Sequence, residues 1–258
     1  MKLSILFGCI DGMVAIKEMA IAPTETVMTT DKPAASPLAW LLLLLSVTTG
    51  LVDATSVLGL GKVFTANMTG NVVFLGFAAS GAPGFKIAPY IVAIASFMVG
   101  ALIAGQVGKR HAGSPLGRWL IIAASVEAVL LWIAAGVAVG FDIATQTPGF
   151  SVYMIIALTG LAMGFRNATI RQLKVTDLTT TVLTLTIAGL AADSSLAGGA
   201  NPNWARRIGS VAAIFLGAAI GAYLVTHGGL VVPLILAGGL IFAGTLACTL
   251  HPVASKPL

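Results

Sequence analysis

Long apolar runs alternate with short polar segments along most of the chain. Six of these runs contain few charged residues: 38–59, 88–108, 118–140, 150–170, 206–226 and 229–250. The hydrocarbon core of a bilayer is about 30 Å thick, so a helix that crosses it needs about 20 apolar residues. The pattern therefore predicts six transmembrane helices.

Two shorter apolar runs, 69–82 and 179–192, lie between these spans and are too short to cross as ordinary helices. If all eight runs crossed, the 14 Lys and Arg residues would divide evenly between the two sides. If the short runs dip into the membrane and return, only Lys62 and Lys86 lie on one side. Because cytoplasmic loops carry an excess of Lys and Arg, the second arrangement is favoured. The short runs are thus predicted to be re-entrant or half-length helices, with both chain termini in the cytoplasm.

The two halves of the chain resemble each other. Residues 67–75 (NMTGNVVFL) align with 177–185 (DLTTTVLTL), residues 50–54 (GLVDA) resemble 164–168 (GFRNA), and each half has the order span, short run, span, span. Three crossings per half turn the second half over, as in the inverted repeats of many secondary transporters. We therefore expect an all-α polytopic membrane protein with six transmembrane helices and two short ones, in two inverted repeats.

The domain layout follows from these runs. Residues 38–140 form the first membrane repeat and residues 150–250 the second. Residues 1–37 carry scattered charges and lack the long apolar core of a signal peptide, so they are expected to form a disordered cytoplasmic tail. Met28 is an alternative start to Met1. Residues 251–258 are expected to form a second cytoplasmic tail.

The repeated stretches also carry a family resemblance. Residues 50–56 (GLVDATS) and 64–71 (FTANMTGN), followed by 166–168 (RNA) and 177–184 (DLTTTVLT), resemble the YoaK family of bacterial membrane proteins, domain of unknown function 1275. The resemblance extends over about residues 38–250. It implies a multi-pass protein of the bacterial inner membrane, and it brings no activity or catalytic residues with it.

Both short helices are expected to start near the middle of the membrane, after the extended limbs 60–66 and 171–178. A helix N-terminus offers unpaired N–H groups and a partial positive charge, which favour an anionic or carbonyl-bearing guest. The predicted substrate-binding residues are Asn67, Thr69, Gly70 and Asn71 at the first N-terminus and Asp177, Thr179, Thr180 and Thr181 at the second. The alternative is that these residues only cap the helices. Gly70 and Asn71 fit that reading less well, because Gly weakens a first helical turn unless a close approach requires it.

Four further residues are candidates for coupling or gating: Asp53, Glu127, Arg166 and Asn167. Ionisable residues inside membrane spans are costly and by default indicate function. The three ionisable residues each have a structural alternative. Asp53 could pair with Lys62 or a helix end, Glu127 could be a protonated acid bonded to a carbonyl, and Arg166 could be a topology anchor that snorkels to the membrane surface.

Composition narrows the chemistry. The chain is 57% hydrophobic and 9% charged, with a mean hydropathy of +0.99, against about 45–50% and 25% in soluble domains. Lipid is therefore its solvent, and the net charge of +5 reflects topology rather than a nucleic-acid partner. With two Cys and three His, none of the His within a span, we expect no disulfide, metal site, cofactor or enzymatic activity.

Small residues recur every four positions in two spans, at Gly100, Ala104 and Gly108 and at Ala213, Gly217 and Gly221. This spacing lets helices approach closely. We expect these rows to join the two halves, with the subunit interface of a homo-oligomer as the alternative.

Together these features predict an inner-membrane transporter or channel for a small solute, which the helix N-termini suggest is anionic. Its central site would lie between the two facing short helices. The alternative is a non-transporting assembly or sensor protein. Such a protein would have no solvent-accessible cavity near Gly70 and Thr180.

Overall fold

A computed structural model describes residues 37–111, 113–173 and 183–250, and within these ranges the chain is helical, without β-strands. The helices are α1 (Pro37–Gly59), α2 (Met68–Ala79), α3 (Ile87–Arg110), α4 (Leu116–Val137), α5 (Gly149–Gln172), α6 (Leu183–Ala192), α7 (Trp204–Gly228) and α8 (Val231–Thr249), with a short 3₁₀ helix at Ser195–Ala197. The two predicted tails and four predicted site residues, Asp177, Thr179, Thr180 and Thr181, lie outside the described residues, apart from Pro37.

The six predicted spans are confirmed as the six long helices, each 19 to 25 residues long. Their mean hydropathy lies between 1.4 and 2.3, so length and composition suit all six to crossing a membrane. The helix ends fall within a few residues of the predicted ones. The two short runs form α2, with 12 residues, and α6, with 10.

The segment around α2 enters and leaves on one face of the helical bundle. After α1 the chain folds back beside it, and the backbone N–H groups of Thr65 and Ala66 reach the carboxylate of Asp53. Asp53 lies six residues before the end of α1, a depth of about 9 Å at 1.5 Å per residue. The Lys62 ammonium then lies 5.0 Å from the ring centre of Phe85, which precedes α3. The entry and the exit of this segment therefore meet at the same face, and α2 is a half-length helix.

The loop between α4 and α5 covers the same face. The Gln146 amide donates to the carbonyl oxygen of Gly59 at the end of α1, over 3.0 Å. Within the loop, the Thr145 hydroxyl and the Ala144 N–H donate to the exposed Asp142 carboxylate, each over 2.8 Å. These hydrogen bonds hold the pKa of the Asp142 carboxyl below its usual value. An ionised Asp142 therefore helps to fix the loop.

The two halves pack crosswise. Helix α1 packs against α7, α3 against α5, and α4 against α8. The counterparts of α1, α3 and α4 in the second half are α5, α7 and α8. Exchanging counterparts turns the α1–α7 pair into the α3–α5 pair and leaves the α4–α8 pair unchanged. The contacts of the short helices follow the same rule, since α2 packs on α3 and α6 on α7.

Four glycines make the two crosswise interfaces close. A Cβ atom at any of them would collide with a backbone carbonyl oxygen of the facing helix. The pairs are Gly50 with Ile214, Gly217 with Val47, Gly164 with Phe97, and Gly100 with Leu161. In the alignment of the two halves, the pair Gly50–Ile214 corresponds to Gly164–Phe97. The pair Gly217–Val47 corresponds to Gly100–Leu161. The prediction that the small-residue rows join the halves is confirmed.

Helix α1 carries buried hydroxyl groups at the interface. Ser46, Thr48, Thr49 and Thr55 each donate a hydrogen bond to a carbonyl three or four residues earlier in the helix. This local bonding satisfies hydroxyls that water does not reach. The hydroxyl donors are thereby satisfied within α1 itself, and the Thr49 oxygen retains a lone pair that can accept a hydrogen bond from another helix.

Candidate functional site

A cavity of about 610 Å³ lies between α1, the start of α2, the start of α6 and α7. Asp53, Asn67, Thr69 and Gly70 line it, as do Thr49, Ala66, Val73, Phe74, Leu183, Thr184 and Ile214. The cavity therefore brings together three of the predicted binding residues from α2 and one predicted coupling residue from α1. Thr184 belongs to the second repeat and follows the undescribed Thr179, Thr180 and Thr181 in sequence.

Asp53 lies at the wall of this cavity, held by the returning limb. Its Oδ1 accepts the N–H of Ala66 over 2.9 Å and that of Thr65 over 3.2 Å. The alternative partner considered for Asp53 was Lys62, but the Lys62 ammonium lies over Phe85 instead. Backbone donors thus orient the Asp53 carboxylate, and the described structure places no side-chain cation in direct contact with it.

The N-terminus of α2 opens onto the cavity. Asn67 occupies the N-cap position, yet its side chain makes no capping hydrogen bond. Thr69 and Gly70 follow in the first turn and also line the cavity. Capping by the Asn67 side chain therefore does not account for its position, and its amide is exposed at the cavity wall.

Asn71 and Gly70 also fix the extended limb 60–66, which leads from α1 to α2. The buried Asn71 amide accepts a hydrogen bond from the Phe64 N–H over 2.9 Å and donates to the Phe64 carbonyl over 2.6 Å. A Cβ at Gly70 would lie 2.7 Å from the Phe64 ring, so that ring requires a glycine here. The cavity wall includes Gly70 but not Asn71, whose side chain is turned into the limb.

The two remaining charged candidates form a buried ion pair. Arg166 of α5 is 2% exposed and Glu127 of α4 is 3% exposed, and the Arg166 guanidinium binds the Glu127 carboxylate directly. Arg166 therefore does not snorkel to the membrane surface. Glu127 has no basic residue near it in sequence, yet it has a cationic partner from the next helix.

The ion pair is connected to the cavity through Thr49. Arg166 Nη1 donates to the Thr49 hydroxyl over 2.9 Å and to the Leu45 carbonyl over 3.1 Å. Thr49 lines the cavity and lies one helical turn before Asp53. Because residues four apart on a helix are neighbours, with Cβ atoms about 5–6 Å apart, the guanidinium reaches to within one turn of the Asp53 carboxylate.

A second, much smaller cavity borders the ion pair. It holds about 30 Å³ and is lined by Glu127 and Arg166 together with Thr169 of α5, Thr245 of α8 and apolar side chains. Most of its lining is apolar, and its volume is enough for one water molecule. The ion pair borders this cavity and is not part of the wall of the larger one.

Asn167 is the counterpart of Asp53 in the second repeat, but it makes different contacts. Its amide donates to the Met163 carbonyl of its own helix over 2.8 Å. It lines neither of the two cavities. The halves therefore differ in charge at the matched position, with a carboxylate in α1 and a neutral amide in α5.

Two parts of this site are not predicted from the sequence. Thr49, which links the guanidinium to the cavity, has no distinguishing sequence signal among the other hydroxyl residues of α1. The pairing of Glu127 with Arg166 joins residues 39 positions apart, which no local spacing reveals. Within the described ranges, no group of three or more His, Cys, Asp or Glu side chains comes together to hold a metal ion.

Comparison with known proteins identifies the family. The chain is 33% identical over 155 residues to the UPF0700 transmembrane protein YoaK of Bacillus subtilis (strain 168). The match covers 60% of this chain and 66% of that protein, just under two thirds of its length. No solved structure matches the chain. The sequence profile of the family described as protein of unknown function (DUF1275) matches residues 41–247, and the chain therefore belongs to that family of multi-pass membrane proteins.

Proposed function

We propose that this protein is a transporter or channel that moves a small polar solute across the bacterial inner membrane, with the cavity at Asp53 and the α2 N-terminus as its central site. The observation that carries the proposal is the cavity itself. It reaches the depth of Asp53 and is lined by Asn67, Thr69 and Thr184. A protein whose short helices only pack against the bundle would have no such cavity beside Gly70.

The architecture supports transport in a second way. We infer that the halves are inverted repeats, because the helix pairs exchange under the repeat and matched glycines make both crosswise interfaces. Inverted repeats let a central site open to either side by one rearrangement of each half. With 12 of the 14 basic residues on the side of both termini, we propose that the termini are cytoplasmic.

The chemistry of the wall narrows the choice of solute. The N-terminus of α2 alone favours an anion. The one charged side chain among the described residues of the wall, however, is Asp53. An anionic solute would bind beside a carboxylate, so we propose a solute that is neutral or positively charged and carries hydrogen-bonding groups.

Transport is tested with purified protein in liposomes. Osmotic swelling measured by light scattering reports the entry of glycerol, urea, methylammonium and acetate, compared with protein-free liposomes. Thr69→Trp, which fills the cavity, is expected to lower the rate for the transported solute at least tenfold. Leu102→Trp, on an exposed apolar face of α3, is the matched control and leaves the rate unchanged.

Two results would contradict the proposal. If none of the four solutes enters faster than in protein-free liposomes, an assembly or sensor role is favoured instead. If a solute enters but Thr69→Trp and Leu102→Trp behave alike, transport does not use this cavity.

A further inference from the structure

The charged residues inside the membrane spans do not balance. Away from the helix ends, the described spans contain the carboxylates Asp53 and Glu127 and the guanidinium Arg166. Two ionised carboxylates and one guanidinium leave a net charge of −1 among these described residues.

An uncompensated charge inside a membrane protein is costly, and polar groups there pair with one another or with an ion. Arg166 is bound to Glu127, and its other contacts are the Thr49 hydroxyl and the Leu45 carbonyl. The Asp53 carboxylate accepts backbone N–H groups and borders a cavity large enough for a hydrated ion or a small organic cation. The missing positive charge therefore belongs at Asp53.

We propose that the cavity binds one monovalent cation at the Asp53 carboxylate in exchange for a proton, and that Glu127 keeps this site available by holding Arg166 away from it. When the cation binds, the proton on the Asp53 carboxyl leaves for solvent. Asp53, Glu127 and Arg166, together with the bound proton or cation, are neutral in both states. A monovalent ion balances the charge, whereas a divalent ion would leave an excess of +1. The inference names the solute or coupling ion of the proposed transport site and rests on that cavity being the site.

Among the described residues of the cavity wall, Asp53 is the one titratable side chain. The limb contributes backbone N–H groups from Thr65 and Ala66, and α2 contributes the uncharged Asn67 and Thr69. From α6 and α7 the wall receives Thr184 and Ile214, also uncharged. Arg166 approaches from α5 with Glu127 of α4 behind it.

Glu127 is a positioning residue in this scheme, since it acts on the cation through Arg166. Thr49 sets the distance over which it acts, because the guanidinium bound there lies one turn from Asp53. If Glu127 loses its charge, the guanidinium has Asp53 as the remaining carboxylate within the described spans. It then neutralises the cation site from inside the protein.

The experiment measures proton release by purified protein in detergent micelles, in weakly buffered solution with a pH-sensitive dye. NaCl, KCl and methylammonium chloride are added separately, with N-methylglucamine chloride at equal ionic strength as the reference. At least one of the three salts is expected to release about one proton per protein with saturation. Release no greater than with N-methylglucamine chloride for all three would overturn the proposal.

The variants separate the roles. Asp53→Asn is expected to abolish the release. Glu127→Gln is expected to raise the half-saturating salt concentration at least tenfold, although Glu127 does not line the cavity, and Glu127→Asp is expected to restore it to near the wild-type value. Asp142→Asn, which removes an exposed acid in a loop, is the matched control and releases like wild type.

Unchanged release by Asp53→Asn, or by Glu127→Gln, would refute the assignment. If Asp53→Asn does not fold, the comparison of Glu127→Gln with Glu127→Asp decides, because these substitutions leave the cavity wall intact. The outcome is independent of the transport test. Proton release without solute flux contradicts only the proposed function, and flux of a neutral solute without cation-dependent release contradicts only the cation site.

Discussion

Replacing Arg166 by Met is expected to destabilise the protein more than other single substitutions in the bundle. It removes the partner of the buried Glu127 carboxylate and the hydrogen bonds to Leu45 and Thr49. Removing one member of a buried ion pair costs about 3–5 kcal/mol, because the remaining charge is left uncompensated. Since about 1.4 kcal/mol corresponds to a factor of ten, the unfolding equilibrium constant should rise at least 100-fold.

The double variant Glu127→Gln with Arg166→Met tests the cause. With both charges removed, no uncompensated charge remains at this position, and replacing a buried pair by uncharged groups is often neutral or stabilising. We expect the free energy of unfolding of the double variant to lie within about 1 kcal/mol of the wild-type value, or above it. Glu127→Gln alone should cost less than Arg166→Met, since Asp53 lies within reach of the released guanidinium.

The assay is reversible unfolding in mixed micelles of mild detergent and dodecyl sulfate. Tryptophan fluorescence follows it, because the fully buried Trp119 packs against Phe165, the neighbour of Arg166. If the free energy of unfolding of Arg166→Met lies within about 1 kcal/mol of the wild-type value, the ion pair is not buried away from water as the structure shows it. A double variant as unstable as Arg166→Met would show that the cost comes from lost packing instead of charge.

Further expectations concern the interfaces, the topology and the loop at Asp142. Gly100→Ala should destabilise the protein by about 1–3 kcal/mol through overpacking, whereas Gly105→Ala in the same helix has open space and should be neutral or stabilising in the same unfolding assay. In a variant without native cysteines, Ser80→Cys and Leu196→Cys should react with a membrane-impermeant thiol reagent from opposite sides of the cell, and labelling from one side would contradict the inverted repeat. Because the pKa of Asp142 is lowered in the folded protein, its contribution to loop order is present at neutral pH and is lost as the pH falls through that lowered pKa. The protection factors of the loop amides, which compare their hydrogen exchange with the intrinsic rate at the same pH, should then fall. Asp142→Asn should remove this pH dependence.

The spans were predictable because a run of apolar residues long enough to cross lipid has few other uses in a polypeptide. The crosswise packing was partly predictable, since glycines at every fourth position serve close helix contact wherever they occur. The spacing of the glycines does not predict which helix each row faces. Gly100 and Leu161 meet only because both halves are already in place.

The site was predictable to a lesser degree. Residue type alone marked Asp53 and the start of α2, because charge and hydroxyl groups are rare inside lipid. The role of Asn71 depends on the path of the limb, whose backbone at Phe64 takes up both polar atoms of the amide. The partner of Glu127 depends on how α4 and α5 face each other, and the sequence pattern contains no information on that rotation.

The crosswise packing also has a consequence for how the chain is made. The main partner of α1 is α7 and that of α3 is α5. The first helix is therefore synthesised about 165 to 170 residues before the surface it packs against, the spacing from Gly50 to Ile214 and from Val47 to Gly217. Until then the bare glycine faces of α1 and α3 lie against lipid or against whatever assists insertion. A chain interrupted after α4 therefore has two unfilled grooves, which the matching helices of a second molecule are shaped to occupy.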